Sequence, residues 1–248
     1  MAVAAAVSGP PDYGLDAPTV VRSMFSRGGW TLAFALVMYY INHAEYPGPA
    51  ARMCGALALI ALLFIGVGAI MVWSSRVGKL GLRDRMIESL ALKGDEKVLD
   101  VGCGRGLLAI GVAKKLKTGK VTGIDVWSPH DLSGNTAEAA RQNAKLEGVL
   151  DKVRIEDGDA RKLVYPDNLY DVVVSSLTIH NIADQQDRAQ AIREMYRVLK
   201  PGGKLLIYDI AKTGEYAEIL RACGAKDVAM PETHWVWCAP SRSVSAIK

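Results

Sequence analysis

Cysteine is scarce, and its spacing is wrong for cysteine chemistry. Cys54, Cys103, Cys223 and Cys238 form neither a C-x-x-C pair nor a zinc-ligand spacing. That argues against a disulfide framework and a metal site. Surplus charge is also small: 30 Lys and Arg against 26 Asp and Glu leave +4 over 248 residues. So scattered a balance excludes nucleic acid as an expected partner, while mild basicity suits an anionic membrane surface. No charge precedes Asp12, so the basic start of a secretory signal is missing. Only Arg22 and Arg27 are basic in residues 1–27, too few for an organelle transit peptide. With Pro10, Pro11 and Pro18 breaking any long helix, this stretch reads as a flexible tail, with helix allowed from near Thr19.

The longest absence of charge is Met53 to Trp73, MCGALALIALLFIGVGAIMVW. At about 1.5 Å per residue it matches a hydrocarbon core of roughly 30 Å. Arg52 and Arg76 bracket it, and Trp73 stands where an interfacial aromatic belongs. Gly28 to Ala44 is also uncharged but shorter and more polar; a span and a re-entrant or interfacial helix fit it equally. A turn over His43 to Pro49 makes two antiparallel membrane helices the expected sum. Basic residues flank the pair on the outside, at Arg22, Arg27, Arg76, Lys79, Arg83 and Arg85. The positive-inside tendency therefore puts both termini in the cytosol. Gly66 and Gly68 are read as allowing close helix packing. Residues 1–27 are thus expected as tail, 28–76 as a membrane-anchoring hairpin, and 77–248 as a cytosolic domain.

In that domain, strands and helices alternate. Leu80 to Leu92 is helical by spacing, and Ser74 to Lys79 forms the junction before it. Strands are expected at Val98–Val101, Lys120–Val126, Val153–Glu156, Asp171–Ser176 and Lys204–Asp209. Helices are expected at Leu107–Lys117, Asn135–Leu146, Asp187–Leu199 and Glu215–Cys223. This predicts an α/β fold with a doubly wound, mostly parallel, seven-stranded sheet. After Gly224 only strand patterns remain: Lys226–Met230, Thr233–Cys238 and Ser243–Ile247, with a turn at Pro240-Ser241-Arg242. A closing antiparallel hairpin follows.

The domain's first strand runs into Val98-Leu99-Asp100-Val101-Gly102-Cys103-Gly104-Arg105-Gly106. Glycines there let backbone approach a ligand and accept positive φ. A dinucleotide fingerprint reads G-x-G-x-x-G, but here Leu107 occupies the third glycine's place. Asp100 would repel a pyrophosphate and suits a cationic ligand instead. Acids recur at the ends of the next two strands, as Asp125 in GIDVW and Asp159 in EDGDA. Asp125 is placed to accept from ribose hydroxyls, as NAD-binding domains also do. Trp127 could lie against an adenine or face solvent.

Taken in order, VLDVGCGRG, GIDVW, EDGDA, YDVVVSSLTIHNI and REMYRVLKPGGKLLIYD resemble the successive motifs of class I S-adenosylmethionine-dependent methyltransferases, in the ubiquinone/menaquinone-methyltransferase-like branch. The resemblance covers roughly Leu80 to Lys248 and leaves out the apolar segments. It implies S-adenosylmethionine as cofactor, held by Asp100, Gly102, Gly104, Asp125, Trp127, Asp159, Ala160 and Ser176. The link Trp127 to Gly134 is longer than usual, and reads as a cofactor lid or as plain surface. In-line methyl transfer is chiefly positioning; a base is needed only for a hydroxyl, thiol or acidic carbon. His180 is the candidate base, and a helix-capping or packing histidine is the other reading of a lone His. Asp209 is a further pocket candidate. The apolar segments suggest a hydrophobic small-molecule acceptor, lipid, isoprenoid or quinone-like, reached from the bilayer.

Overall fold

Strand β1 (Lys97–Val101) is buried from Val98 onward, and three of those four side chains are apolar, because the sheet around it is covered on both sides. Val98 points into a core shared with Leu108, Val112 and Ala140. Leu99 and Val101 point into the opposite core, with Ile192, Met195, Tyr216 and Leu220. The period of two along the strand thus divides two hydrophobic cores. The structure, a computed structural model, describes residues 9–231, 234–236 and 239–248.

The remaining strands are β2 (Lys120–Asp125), β3 (Val153–Asp157), β4 (Tyr170–Ser176), β5 (Leu199–Asp209), β6 (Lys226–Ala229), β7 (His234–Val236) and β8 (Ala239–Ile247). The sheet order is β3-β2-β1-β4-β5-β8-β6, with β7 branching off to pair with β8. Pairing is parallel from β3 through β5 and antiparallel where β8 meets β5, β6 and β7. The expected α/β sheet with an antiparallel close is therefore present. Pro240-Ser241-Arg242, read as a turn, instead lies within β8. Proline is tolerated near a strand's start, and Pro240 there faces Trp235 of β7. Of the expected strand Thr233–Cys238, Thr233, Trp237 and Cys238 lie outside the described residues, as do residues 1–8 of the expected tail.

Four helices cover the sheet: α4 (Leu107–Lys115), α5 (Ala137–Leu146), α6 (Gln185–Val198) and α7 (Thr213–Ala222). Helix α5 is capped by Thr136, whose side chain accepts from Ala139 N. Upstream, α1 (Pro18–Asn42) packs along α2 (Pro47–Trp73). Gly28 lies where a Cβ would come within 2.6 Å of Ile65 Cγ1, and Gly68 faces the Phe25 ring. Gly66, by contrast, faces open space and supports no packing role.

Helix α2 does not end at a junction. A π-helical turn over Ser74–Gly78 carries it into α3 (Lys79–Ser89). The result is one helix from Pro47 to Ser89, and among the described residues it alone is long and apolar enough to cross a membrane. The first of the two expected spans does not reach that measure. The hairpin nevertheless leaves Trp30, Phe34, Leu36 and Tyr40 of α1 exposed beside Leu59, Leu62 and Leu63 of α2.

Residues 12–17, read as part of a flexible tail, form a strap against the domain. Asp12 N donates to Asn143 Oδ1 at 3.0 Å, and Asn143 Nδ2 donates back to Asp12 O at 2.8 Å. Leu15 N donates to Ser133 Oγ at 2.7 Å, and Ala17 N to Asp131 O at 3.0 Å. The buried ammonium of Lys79 donates to Tyr13 O and Gly14 O, both at 2.8 Å. Partnered backbone groups hold this strap, together with Tyr13, which is buried in the domain core with its hydroxyl donating to Glu147.

Candidate active site

The C-terminal ends of β1, β2 and β4 meet where the glycine loop turns. Gly102 N and Cys103 N both donate to Ile124 O, at 2.8 and 2.9 Å, which ties the loop to β2. Gly102 has φ +75°, and a Cβ there would lie 2.1 Å from Thr178 Cγ2. Only glycine allows the loop after β4 to lie this close. Asp125, at the end of β2, accepts from Gly104 N at 2.8 Å and Trp127 N at 2.6 Å. Asp100 is 1% exposed and accepts from Ala109 N of α4 at 2.9 Å. One of the helix's first-turn N–H groups is therefore already taken.

These groups open on a cavity of about 860 Å3. Ligand sites commonly span roughly 300–1,000 Å3, so there is room for a cofactor and an acceptor together. Asp100, Gly102, Gly104, Asp125, Asp159, Ala160, Ser176 and His180 all line it. Trp127 does not, although its neighbours Val126 and Ser128 do. A left-handed backbone (φ +60°) turns Trp127 aside, and its indole Nε1 donates to Asp157 Oδ1 at 2.7 Å. Asp159 is engaged as well: Arg161 binds it at 2.7 Å and reaches Asp187 at 2.7 Å. The Arg161 hydrogen bonds hold the Asp159 carboxyl below its usual range.

His180 sits in a 3-10 turn (Ile179–Asn181) after β4. Its Nδ1 stands 2.5 Å from Asp209 Oδ1, but off the line a hydrogen bond needs, so that nitrogen has no in-line acceptor. Asp209 is fully buried at the end of β5. It accepts from His180 N and Tyr216 OH, each at 3.1 Å, and from Ile210 N at 2.8 Å. The His180 backbone N–H bonds this buried carboxylate, the ring lies beside it, and the residue lines the cavity. Burial pushes the Cys103 thiol up, with Asp100 and Asp125 adding to the effect, so it is not a ready nucleophile.

Sequence reasoning missed two wall residues with unsatisfied groups. Asn135 is buried, and its Oδ1 has no donor while its Nδ2 reaches Asp125 at 3.2 Å. Arg105 Nε is a buried donor without an acceptor. Both residues line the cavity. An unmet acceptor and an unmet donor beside two acids suit a ligand with ammonium, carboxylate and hydroxyl groups. Arg105 is visible in the loop motif; Asn135 reads only as a helix cap.

Burial, with the Asp125 charge adding to it, pushes Asp100 up to about 7, against the pull of the Ala109 N–H. A cationic ligand needs the ionised carboxylate. Affinity for S-adenosylhomocysteine is therefore expected to rise by up to about tenfold per pH unit from roughly pH 5.5 to 7, then level off. The ligand-free protein binds more protons than its unfolded chain across this range, so Asp100 lowers its stability as pH rises toward 7. Calorimetric titration across pH checks the first statement, and a flat profile would remove Asp100 from the cation's site.

Residues 98–203 match the family described as "Methyltransferase domain". Methyltransferase GfsG of Streptomyces halstedii is 36% identical over 141 residues, covering 57% of this chain and 47% of its own length. The ubiquinone/menaquinone biosynthesis C-methyltransferase UbiE of Pseudomonas fluorescens is 36% identical over 126 residues, covering 51% and 46%. The chain spans about half the length of the curated relatives it matches. A SAM-dependent methyltransferase from Aquifex aeolicus superposes with a TM-score of 0.52 at 23% identity, covering 66% of this chain and 88% of that one. The [4+2]-cyclase SpnF superposes with 0.55 at 23% identity, covering 68% and 81%. The same fold thus carries different chemistries, and the activity has to be argued from the site.

Proposed function

We propose, from the premise that residues 98–203 are a class I S-adenosylmethionine-dependent methyltransferase domain, that this chain methylates a protic oxygen or acidic carbon of a hydrophobic, membrane-associated small molecule. The observation that carries the reading is the histidine–carboxylate pair at the wall of a cavity whose other side is a row of strand-end acids. Bound S-adenosylmethionine supplies an electrophilic methyl carbon on a sulfonium sulfur. Asp100, with Gly102 and Gly104, would hold its cationic amino-acid end. Asp125 and Asn135 would take the ribose hydroxyls, and Asp159 with Ala160 the adenine edge once Arg161 yields. Ser176 and Thr178 border the reacting end.

His180 would take the proton from the acceptor. With Nδ1 against Asp209, Nε2 is the nitrogen left for that proton, and the carboxylate stabilises the imidazolium that forms. Asp209 is itself fixed by Tyr216, Ile210 and the His180 backbone, so the carboxylate stays in place beside the ring. The acceptor's proton goes to the ring while its oxygen or carbon takes the methyl in line.

Location supports the acceptor class. The exposed large apolar side chains of α1 and α2 form the kind of surface that marks an interaction with a membrane or a partner. A hairpin over 28–76 would anchor a domain over 77–248 on the cytosolic side, where the flanking arginines lie. The test uses full-length protein in lipid nanodiscs with methyl-labelled S-adenosylmethionine and fractionated cell extract. Label is expected in the organic-solvent fraction. Label confined to aqueous acceptors would overturn the hydrophobic assignment. Tight S-adenosylhomocysteine binding without any labelled product would make the chain a non-catalytic binding protein.

A further inference from the structure

The cavity extends past the cofactor cradle, and its far wall comes from outside residues 98–203. Sheet order sets the ends of β3, β2 and β1 on one side. The loops after β4 and β5, carrying His180 and Ile210, lie on the other. Facing them are Ala17, Thr19 and Val20 from the strap and the first turn of α1, with Leu82 and Met86 from α3. Leu82 and Met86 are rooted in the domain core. The strap is pinned to the same helix by Lys79, which also pairs with Asp16 at 3.4 Å. The stretch that joins domain to hairpin is therefore part of the cavity's lining.

Thr19 and Val20 line the cavity and are exposed at the same time, so the cavity opens beside them. The mouth's height is fixed by two contacts. Asp16 N donates to Ser75 Oγ at 3.2 Å, and Phe25 packs against Gly68. Residues 16–25 thus run beside residues 75–68, and Val20 lies level with the end of α2 near Trp73. Val20, Phe25, Trp73 and Val77 are all exposed. They continue apolar surface from the mouth toward the hairpin face.

We propose that this opening is the subsite for the acceptor's apolar chain. The polar head reaches His180, and the chain leaves between the first turn of α1 and α3, past Val20, into the bilayer. The inference rests on the function proposed above and adds to it: the anchor is one wall of the acceptor chamber as well as a tether. The apolar lining at Val20, Leu82, Met86 and Ile210 suits an alkyl or polyene chain. The protic head follows from the base at His180.

The experiment uses full-length protein in nanodiscs with S-adenosylhomocysteine bound and para-dodecylphenol carrying a diazirine at the chain end. After irradiation, labelled peptides are mapped by mass spectrometry. Label is expected within residues 17–25 and 77–89, displaced by unmodified dodecylphenol and not by phenol. Val20→Trp is expected to lower that label about tenfold, the scale expected when a bulky ring excludes a chain from its subsite. It should leave S-adenosylhomocysteine affinity unchanged, and Val37→Trp on the exposed hairpin face should leave the labelling unchanged. Label confined to residues 30–70, or label at the mouth that Val20→Trp does not reduce, would overturn the subsite. Failure of the unmodified chain to bind S-adenosylhomocysteine would instead overturn the function itself, and the subsite with it.

Discussion

His180→Ala is expected to lower kcat by about 10²- to 10⁴-fold, the usual worth of a positioned general base. S-adenosylhomocysteine affinity should stay within about twofold, because cofactor contacts are assigned to other strand ends. Rescue separates a base from a positioning role: added imidazole should restore turnover to His180→Ala and should not raise the rate of the unmodified enzyme. Asp209→Asn should lower kcat less, since the ring is still present. A His180→Ala enzyme with unchanged kcat would remove the proton-transfer step and leave positioning alone.

Gly102→Ala is expected to be strongly destabilising. Its φ of +75° disfavours any side chain, and the new Cβ would stand 2.1, 2.2 and 2.6 Å from three atoms of Thr178. Strain of about 1 kcal/mol and overpacking of about 1–3 kcal/mol fall on a total stability of roughly 5–15 kcal/mol. For a domain this size that lowers Tm by roughly 5–15 °C. Displacing Thr178 also moves the loop that presents His180, so turnover should fall with stability. Gly106→Ala is the comparison. Its nearest contact is Ile110 Cδ1 at 2.9 Å, the movable end of a side chain, so the loss should be smaller. Thermal unfolding and calorimetry on both variants check this, and equal losses would show that Thr178 is not the obstacle.

The parts of this molecule legible in the sequence are those written in short-range pattern. β1 and β4 announce themselves by their aliphatic stretches, Val98-Leu99 and Val172 to Val174, because both faces are covered. The acids at Asp100, Asp125 and Asp159 follow from strand ends, and the structure brings all three to one cavity. What stayed hidden depends on partners far along the chain. The 12–17 strap is held by the burial of Tyr13 in the core and by Asn143, Ser133, Asp131 and Lys79, all distant in the chain. The π-helical turn at Ser74–Gly78 leaves no mark in the helical period, so α2 and α3 read as separate. Trp127 belonged to the expected motif, yet its indole found Asp157 instead. The pairing of His180 with Asp209 joins positions 29 residues apart, and only the neighbouring of β4 and β5 brings them together.

The helix from Pro47 to Ser89 has no joint. At about 1.5 Å per residue its 43 residues run roughly 65 Å, and its last turns are set in the domain core through Leu82, Met86 and Ile87. A domain on a slack linker would sample every tilt and search a volume. With that helix in a bilayer, as proposed above, the domain would inherit its orientation, its opening would stay at one height, and the search for acceptor would become a lateral one, in two dimensions. Turnover would then follow the mole fraction of acceptor within the bilayer and not its amount per volume of water.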